Sequence, residues 1–570
     1  VSERFDAIVV GSGAAGGFAA RELGEQGLSV LLLEAGRAVT LADHEDTPGR
    51  YGPNLLGRMR AALFGQPIQA RVAFFSKKMV RFLVRDVLHG YRTAKGLPYL
   101  WLRGRQMGGR LHIFGRVVHR WSDYEFKPAP ERGQPVWPIY YADIEPWYAK
   151  AERILGVYGN EDRVETLPDG IMQGDGLLTR AETAFKVGVE QCFKGRRVIS
   201  WRMAAPDKGL LPRATADALA FPNVEVRDGA VVCEVLTDAA TGLATGVRYR
   251  DRQTGAEHVV HARSVVLGAS PIETVRLMLN SRSGMHERGL GNSSGLLGHY
   301  FMDQPATVML ATFAGKPDGV PDEVPIHPVY GTAGGIYVPR YPKGADGYRS
   351  TGLGYCIQGS IGRNPHVYPG PTPDGSFMCY SEMNPYFDNA ISLDTRRQDR
   401  WGVPIPVIRC ELKAAERTAI ASQAEEIAAM VERAGGSVCG WISPLGVEHR
   451  GAGLYRGLGA IQRRIVLTFA PKSFTLGAAI HESGGARMGD DPQASIVDAF
   501  NRVWDAPNVV VADASVFPSS GVMGTTLTVM ALAMRACARL ADDLRTGDFS
   551  ASFRRQPESR APAASALSER

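Results

Sequence analysis

The chain has 570 residues, 44% of them hydrophobic and 22% charged, with a net charge of +6, so it can bury a sizeable core and divide into more than one domain. No apolar run reaches the ~20 residues that span a bilayer. The seven cysteines, Cys192, Cys233, Cys356, Cys379, Cys410, Cys439 and Cys537, are scattered and form no CxxC pair, which argues for reduced thiols and against a zinc, iron–sulfur or other metal site.

Near the start, a strand over residues 7–10 runs into Gly11, Gly13 and Gly16 and then into a helical pattern over 14–24. Each glycine has its own task in a dinucleotide fold. Gly11 permits the tight turn, Gly13 lets the backbone approach a pyrophosphate, and Gly16 brings the helix close to the sheet with its N-terminal amides toward the phosphates. A second apolar strand, 29–33, ends at Glu34, placed to accept both ribose hydroxyls of an adenosine; the carboxylate argues against a 2′-phosphate and leaves FAD or NAD. Because the first strand begins at Phe5, the numbered chain leaves no room for an export signal, and the cytoplasm is the default location.

Between Arg50 and Arg110 the basic residues face a single acid, Asp86, and VAFFSKKMVRFLVRDVL (72–88) reads as a basic amphipathic helix. A solvated cover over the nucleotide-binding domain is the first reading; an anionic membrane surface, an acidic partner or the FAD pyrophosphate is the second. Nucleic acid is not expected, since the bias is local and no recognition module accompanies it. Strand signals at 224–238, 246–251 and 258–270 suggest a return to the dinucleotide-binding sheet. From 305 to 475 the texture changes to strands and loops rich in Pro, Gly and Tyr, with a long helix predicted over 412–433 and ended by Gly435 and Gly436. The expected division is a discontinuous nucleotide-binding domain (1–50, 100–130, 220–305 and 475–545), a basic helical insert (51–99), a substrate domain (131–219 and 306–474) and a disordered tail (546–570).

At the far end, HESGGARMG (481–489), NVVVADASVFPSSG (508–521) and TTLTVMALAMRACARL (525–540) together resemble the C-terminal signature of the glucose-methanol-choline (GMC) flavoprotein oxidoreductases. GRQMGG (104–109), SVVLGASPIETVRLMLNS (264–281), GLLGHYFMDQ (295–304) and SEMNPYFDNAISLDTRRQDRWGVPIPVI (381–408) match in order, so the resemblance spans nearly the whole chain. It implies an α/β fold with a doubly wound FAD-binding domain and a substrate domain of antiparallel sheet covered by helices. It also implies FAD as the cofactor and a small-molecule alcohol as the substrate. The signature is most similar to the bacterial branch that acts on sugars, sugar acids and cyclic polyols, so the expected reaction is oxidation of a secondary alcohol on a sugar, glycoside or cyclitol, by an electron acceptor that the sequence leaves open.

The same resemblance assigns roles. His481 is the general base near flavin N5, and Asp513 with Ala514 lies by the ribityl chain. Arg105, Gly108, Gly109, Val232 and Ala269 contact the cofactor, and Thr525 and Thr526 touch flavin or substrate. Two positions depart from the pattern. The histidine that carries flavin covalently in some relatives has its counterpart in His112, but one position early, so non-covalent FAD is expected. Where the family places a second catalytic Asn or His, this chain has Gly524, which offers no side-chain hydrogen bond. That gap leaves open an FAD-containing lyase or isomerase using His481 for proton transfer, and the basic segment leaves open a flavoprotein subunit that passes electrons to a partner.

Overall fold

The computed structural model describes residues 4–44, 55–72, 77–127, 137–313, 324–329, 331–341, 353–363, 374–455 and 458–549. β1 (Arg4–Val10) enters α1 (Ala14–Glu25) and the chain returns as β2 (Val30–Leu33). Around them five parallel strands lie in the order Ala506–Val511, Glu257–Leu267, β1, β2, Val224–Arg227. All four residues of β2 and the last four of β1 are buried, as a parallel sheet covered on both faces requires. A hairpin, Ala230–Thr237 and Ala244–Asp251, joins the N-terminal half of Glu257–Leu267 in antiparallel register, pairing Tyr249 with His258. α1 packs against the helices Thr526–Thr546 and Arg213–Ala220. Its small residues Ala15, Gly16, Ala19 and Ala20 allow the approach; a Cβ on Gly16 would fall 1.6 Å from Gly11 O.

The second sheet is antiparallel, in the order Gly446–His449, Gly436–Ser443, Ala306–Phe313, Asp374–Ser381, Tyr355–Ile361, Ile336–Val338, Ile199–Ser200. Strand alternation divides its side chains between two environments. Phe377, Ile357 and Met309 pack under the helices Ala414–Arg433 and Arg180–Cys192 in a separate core with Phe185, Ile427 and Val431. Met378, Tyr380, Gln358 and Tyr337 lie on the side that borders a cavity between the two sheets. The helix predicted over 412–433 starts two residues later, because the Glu416 carboxylate accepts a hydrogen bond from the Lys413 backbone amide at 3.1 Å and fixes Lys413 as the cap.

The division differs from the expected one in three places. Tyr141–Leu155, expected in the substrate domain, buries Ile144, Tyr148 and Ala151 beside Thr526–Thr546, and Arg213–Ala220 lies on α1 with Thr215 Oγ1 donating to Ser12 O at 3.0 Å. The hairpin Ala390–Gln398 and Pro404–Arg409 pairs with Arg92–Thr93 and packs on the helix Pro271–Asn280, so it too belongs with the nucleotide-binding half. Within the described residues, the basic amphipathic helix shrinks to Lys77–Phe82. The chain then leaves the helix: Leu83 pairs with Gly104 in an antiparallel bridge, Val84 N donates to Arg103 O at 3.0 Å, and the lone acid Asp86 is buried, accepting from the amides of Ile68 and Gln69 and from Gln69 Nε2. Thr526–Thr546 ends at Gly547, whose φ of 70° reverses the chain; the rest of the expected tail, from 550 on, lies outside the described residues.

Candidate active site

A cavity of about 980 Å³ runs between the two sheets, at the upper end of the roughly 300–1,000 Å³ typical of small-molecule sites. Gly11, Gly13, Glu34, Arg105, Gly109, His112, Val232, Ala269, His481, Asp513, Ala514, Gly524, Thr525 and Thr526 all line it, whereas Gly16 and Gly108 stand behind its wall. Segments from both ends of the chain therefore meet around one space.

At the dinucleotide end, Gly11 turns with φ at 93°, and a Cβ there would lie 2.7 Å from Gly268 O. A Cβ on Gly13 would meet nothing nearer than Gly109 Cα at 3.8 Å, so the first amides of α1, which no side chain caps, stand beside open space suited to a phosphate. Glu34 is buried at the end of β2. Its carboxylate already accepts from Ser12 N at 3.0 Å, Ser12 Oγ at 2.6 Å and Gly36 N at 2.7 Å. That leaves about one of its four acceptor positions for a ribose hydroxyl, where the sequence assigns it two. Ser12 Oγ in turn accepts from Gly108 N at 2.9 Å, which ties the 104–109 loop to the glycine turn.

Arg105 is held by Glu273 at 3.2 Å and His89 Nδ1 at 3.1 Å and lies over the Trp401 ring. Burial opposes the charge of Glu273, but the guanidiniums of Arg276 and Arg105 hold its carboxyl at about 2. The His112 ring is stacked on Phe82, and its Nε2 lies 2.6 Å from Met107 O, so that nitrogen donates within its own loop. Val232 borders the cavity from the hairpin strand Ala230–Thr237, and the Ala269 amide lies 3.2 Å from Thr274 Oγ1. Asp513 both lines the cavity and caps the short turn Ala514–Val516, accepting from Ser515 N and Oγ, while Thr274 Oγ1 donates to its other oxygen. Thr525 and Thr526 lie at the start of the helix Thr526–Thr546, whose N-terminus has no side-chain cap and borders the cavity.

His481 Nδ1 lies 2.7 Å from Gln304 Oε1. The orientation of Gln304 is fixed, because its Nε2 donates to the carbonyls of Ser520 at 2.7 Å, Gly521 at 3.1 Å and Met523 at 2.9 Å. Oε1 must therefore accept, Nδ1 of His481 carries the proton, and Nε2 keeps its lone pair. Burial, reinforced by the Arg110 guanidinium, pulls this imidazole down to about 4 from its ordinary 6.5, so the ring is neutral at pH 7. Arg110 is itself paired with Glu482 at 2.6 Å. A Cβ on Gly524 would lie 3.7 Å from His481 Nε2, so the missing side chain leaves open space directly before the basic nitrogen. The Tyr380 ring stands 4.8 Å from the imidazole. The preceding residue, Ile480, has a φ of 61°, costly for a β-branched residue, and packs against the small core of Leu100 and Leu102 that holds it in place.

Three residues of this site have no role in the sequence reading: Gln304, Arg110 and Tyr380. Gln304 closes the recognisable block 295–304, yet nothing in that string says it will meet residue 481; Tyr380 falls one residue before a matched block.

The frame agrees with comparisons across known proteins. Models of the GMC oxidoreductase family match residues 5–306 and 385–533. The chain is 26% identical to paromamine 6′-oxidase of Streptomyces fradiae, covering 95% of this chain and 92% of that protein, and 24% identical to a C-glycoside 3-oxidase of Arthrobacter globiformis, covering 95% of each. Its structure superposes on formate oxidase of Aspergillus oryzae with a TM-score of 0.62 at 14% sequence identity, over 96% of this chain and 99% of that one, a likeness of fold. With a family model spanning more than half its length and both sheets in place, the chain belongs to the GMC oxidoreductase family.

Proposed function

We propose that this chain binds FAD non-covalently and oxidises a secondary alcohol on a sugar, glycoside or cyclitol, with His481 as general base. The observation that carries the reading is the fixed tautomer of His481: a neutral imidazole with a bare Nε2 facing open space at Gly524. FAD fits the frame, since the backbones of Gly13 and Gly109 border the cavity without side chains, a Cβ on Gly13 meeting only Gly109 Cα at 3.8 Å, and both uncapped helix N-termini offer amides. When bound, FAD supplies the acceptor for a carbinol hydride.

The chain's own residues do the rest. Gly11, Gly13, Glu34 and the amides of α1 hold the dinucleotide, and Arg105, Val232, Ala269, Asp513 and Ala514 line its path toward the site. His112, engaged with Met107 O, is a wall residue and not an attachment point. Thr525 and Thr526 act through backbone amides directed at the flavin. His481 Nε2 accepts the hydroxyl proton, Gln304 holds the ring, and Tyr380, whose ring stands beside the imidazole, orients the substrate.

A second reading, a lyase or isomerase that keeps FAD as a structural element, draws on Gly524, which leaves His481 without the second side chain of an ordinary alcohol oxidant. Anaerobic mixing of the FAD-loaded protein with a panel of sugars, glycosides and cyclitols separates the two. Loss of flavin absorbance near about 450 nm supports oxidation, whereas product formed without bleaching supports the lyase.

A further inference from the structure

Two surface helices are covered far less than the fold requires. Among the described side chains, Leu55–Leu63 and Ala460–Ser473 each bury one residue, Ala61 and Ala470, yet carry Leu56, Met59, Leu63, Ile461 and Phe469 in the open, with Phe64 just beyond the first helix. Leu63 is 83% exposed and Ile461 78%. A surface helix ordinarily turns such side chains inward, and an apolar stripe left outside marks an interaction face. The two helices lie on one side of the molecule: Arg58 on the first is within electrostatic reach of Tyr455, which packs on the same small core as Leu467 and Ala470 of the second.

The charge on the two helices has one sign. The sequences LLGRMRAAL and AIQRRIVLTFAPKS hold five cations and no carboxylate; Arg58 and Arg463 donate to backbone carbonyls, which leaves Arg60, Arg464 and Lys472 on the outer side. Arg60 lies over the Phe64 ring and Lys472 over Phe469, so cationic heads sit directly beside exposed apolar bodies. A second copy of the chain would set these cations against each other. Aliphatic side chains interleaved with snorkelling Arg and Lys match the boundary between acyl chains and anionic headgroups. No helix among the described residues is long and apolar enough to cross a membrane, so contact would be made at the surface only.

We infer that these two helices form a docking face for an anionic lipid surface. The face stands next to the catalytic cavity, because the small core under Leu55–Leu63 includes Val72 and Leu102, which line the cavity, and Ile480, the neighbour of His481. Docking would bring the cavity close to the bilayer without any change at the site. The inference does not depend on the substrate or on the reaction.

The test is co-sedimentation of the full-length holoprotein with vesicles of phosphatidylcholine alone and of phosphatidylcholine mixed with phosphatidylglycerol. The anionic vesicles should hold roughly tenfold more protein or better, and added salt should release much of it. Leu63→Asp combined with Phe469→Asp, and separately Arg60→Glu with Arg464→Glu and Lys472→Glu, should abolish binding while the anaerobic rate of flavin reduction and the melting temperature stay unchanged. Failure to bind either vesicle would overturn the inference. So would variants that bind as wild type does, or a dimer in sedimentation velocity that the same variants dissolve, which would assign the face to a second copy.

Discussion

Gln304 decides which nitrogen of His481 carries the proton. Three carbonyls claim its Nε2, so Oε1 has no choice but to face Nδ1–H. Gln304→Leu should leave the Ser520 and Met523 carbonyls without the Gln304 donor and the imidazole without its orienting acceptor, lowering flavin reduction by roughly tenfold or more with FAD retained. Stopped-flow absorbance checks this, and an unchanged rate would show that the ring needs no such support. The depressed basicity of His481 has its own signature. An imidazole protonated below about pH 4 stays available as the solution is acidified through 6.5, so the acid limb of the reduction rate should lie near 4. A limb at the ordinary histidine value would mean that the ring senses bulk water. At Gly524 an added Cβ makes only ordinary contact, 3.7 Å from Nε2, but Gly524→Asn would fill the space before the base. The substitution should cut kcat/KM for sugars by tenfold or more, in keeping with roughly 1.4 kcal/mol or more of lost transition-state stabilisation; faster turnover would mean that a defective site had been repaired. His481 and Gly524 are legible in the sequence as one filled and one vacant position of a motif. Gln304 is not, because its role exists only once residues 304, 481 and 520–523 are brought together.

Among the elements, the glycine turn is the most legible and the basic segment the least. β1, α1 and β2 follow from local chemistry alone: small β-branched runs, three glycines with distinct steric duties and a terminal acid. The duties of the glycines can be separated. Gly16→Ala puts a Cβ 1.6 Å from Gly11 O and should prevent folding, whereas Gly13→Ala meets only Gly109 Cα at 3.8 Å, so the apoprotein should melt as wild type does and yet lose FAD. Thermal melting with and without added FAD distinguishes the two, and equal loss of stability in both would remove Gly13 from the phosphate site. The 72–88 pattern misleads because periodicity records where apolar residues fall and not what Asp86 does. The backbone at Leu83 and Val84 pairs with 103–104 instead, and the Asp86 carboxylate is buried against two amides and Gln69.

At the scale of the whole molecule, the candidate site is assembled at the seam of two sheets. Composition and strand texture mark out both sheets, but not which helices cover them: Tyr141–Leu155 and Arg213–Ala220 bind the nucleotide-binding half through apolar faces whose partners lie hundreds of residues away. The cavity takes the glycine turn from one end of the chain, His481 and Gly524 from the other, and Tyr380 from the middle, so only the complete fold produces the reacting space. The central claim is that this space oxidises an alcohol with His481 as the base, and anaerobic stopped-flow reduction of the bound flavin by a sugar or glycoside that bleaches the wild-type protein tests it most directly. His481→Ala should keep its FAD and slow that reduction by roughly 10²–10⁴-fold. Reduction at the wild-type rate would contradict the account and take His481 out of the mechanism.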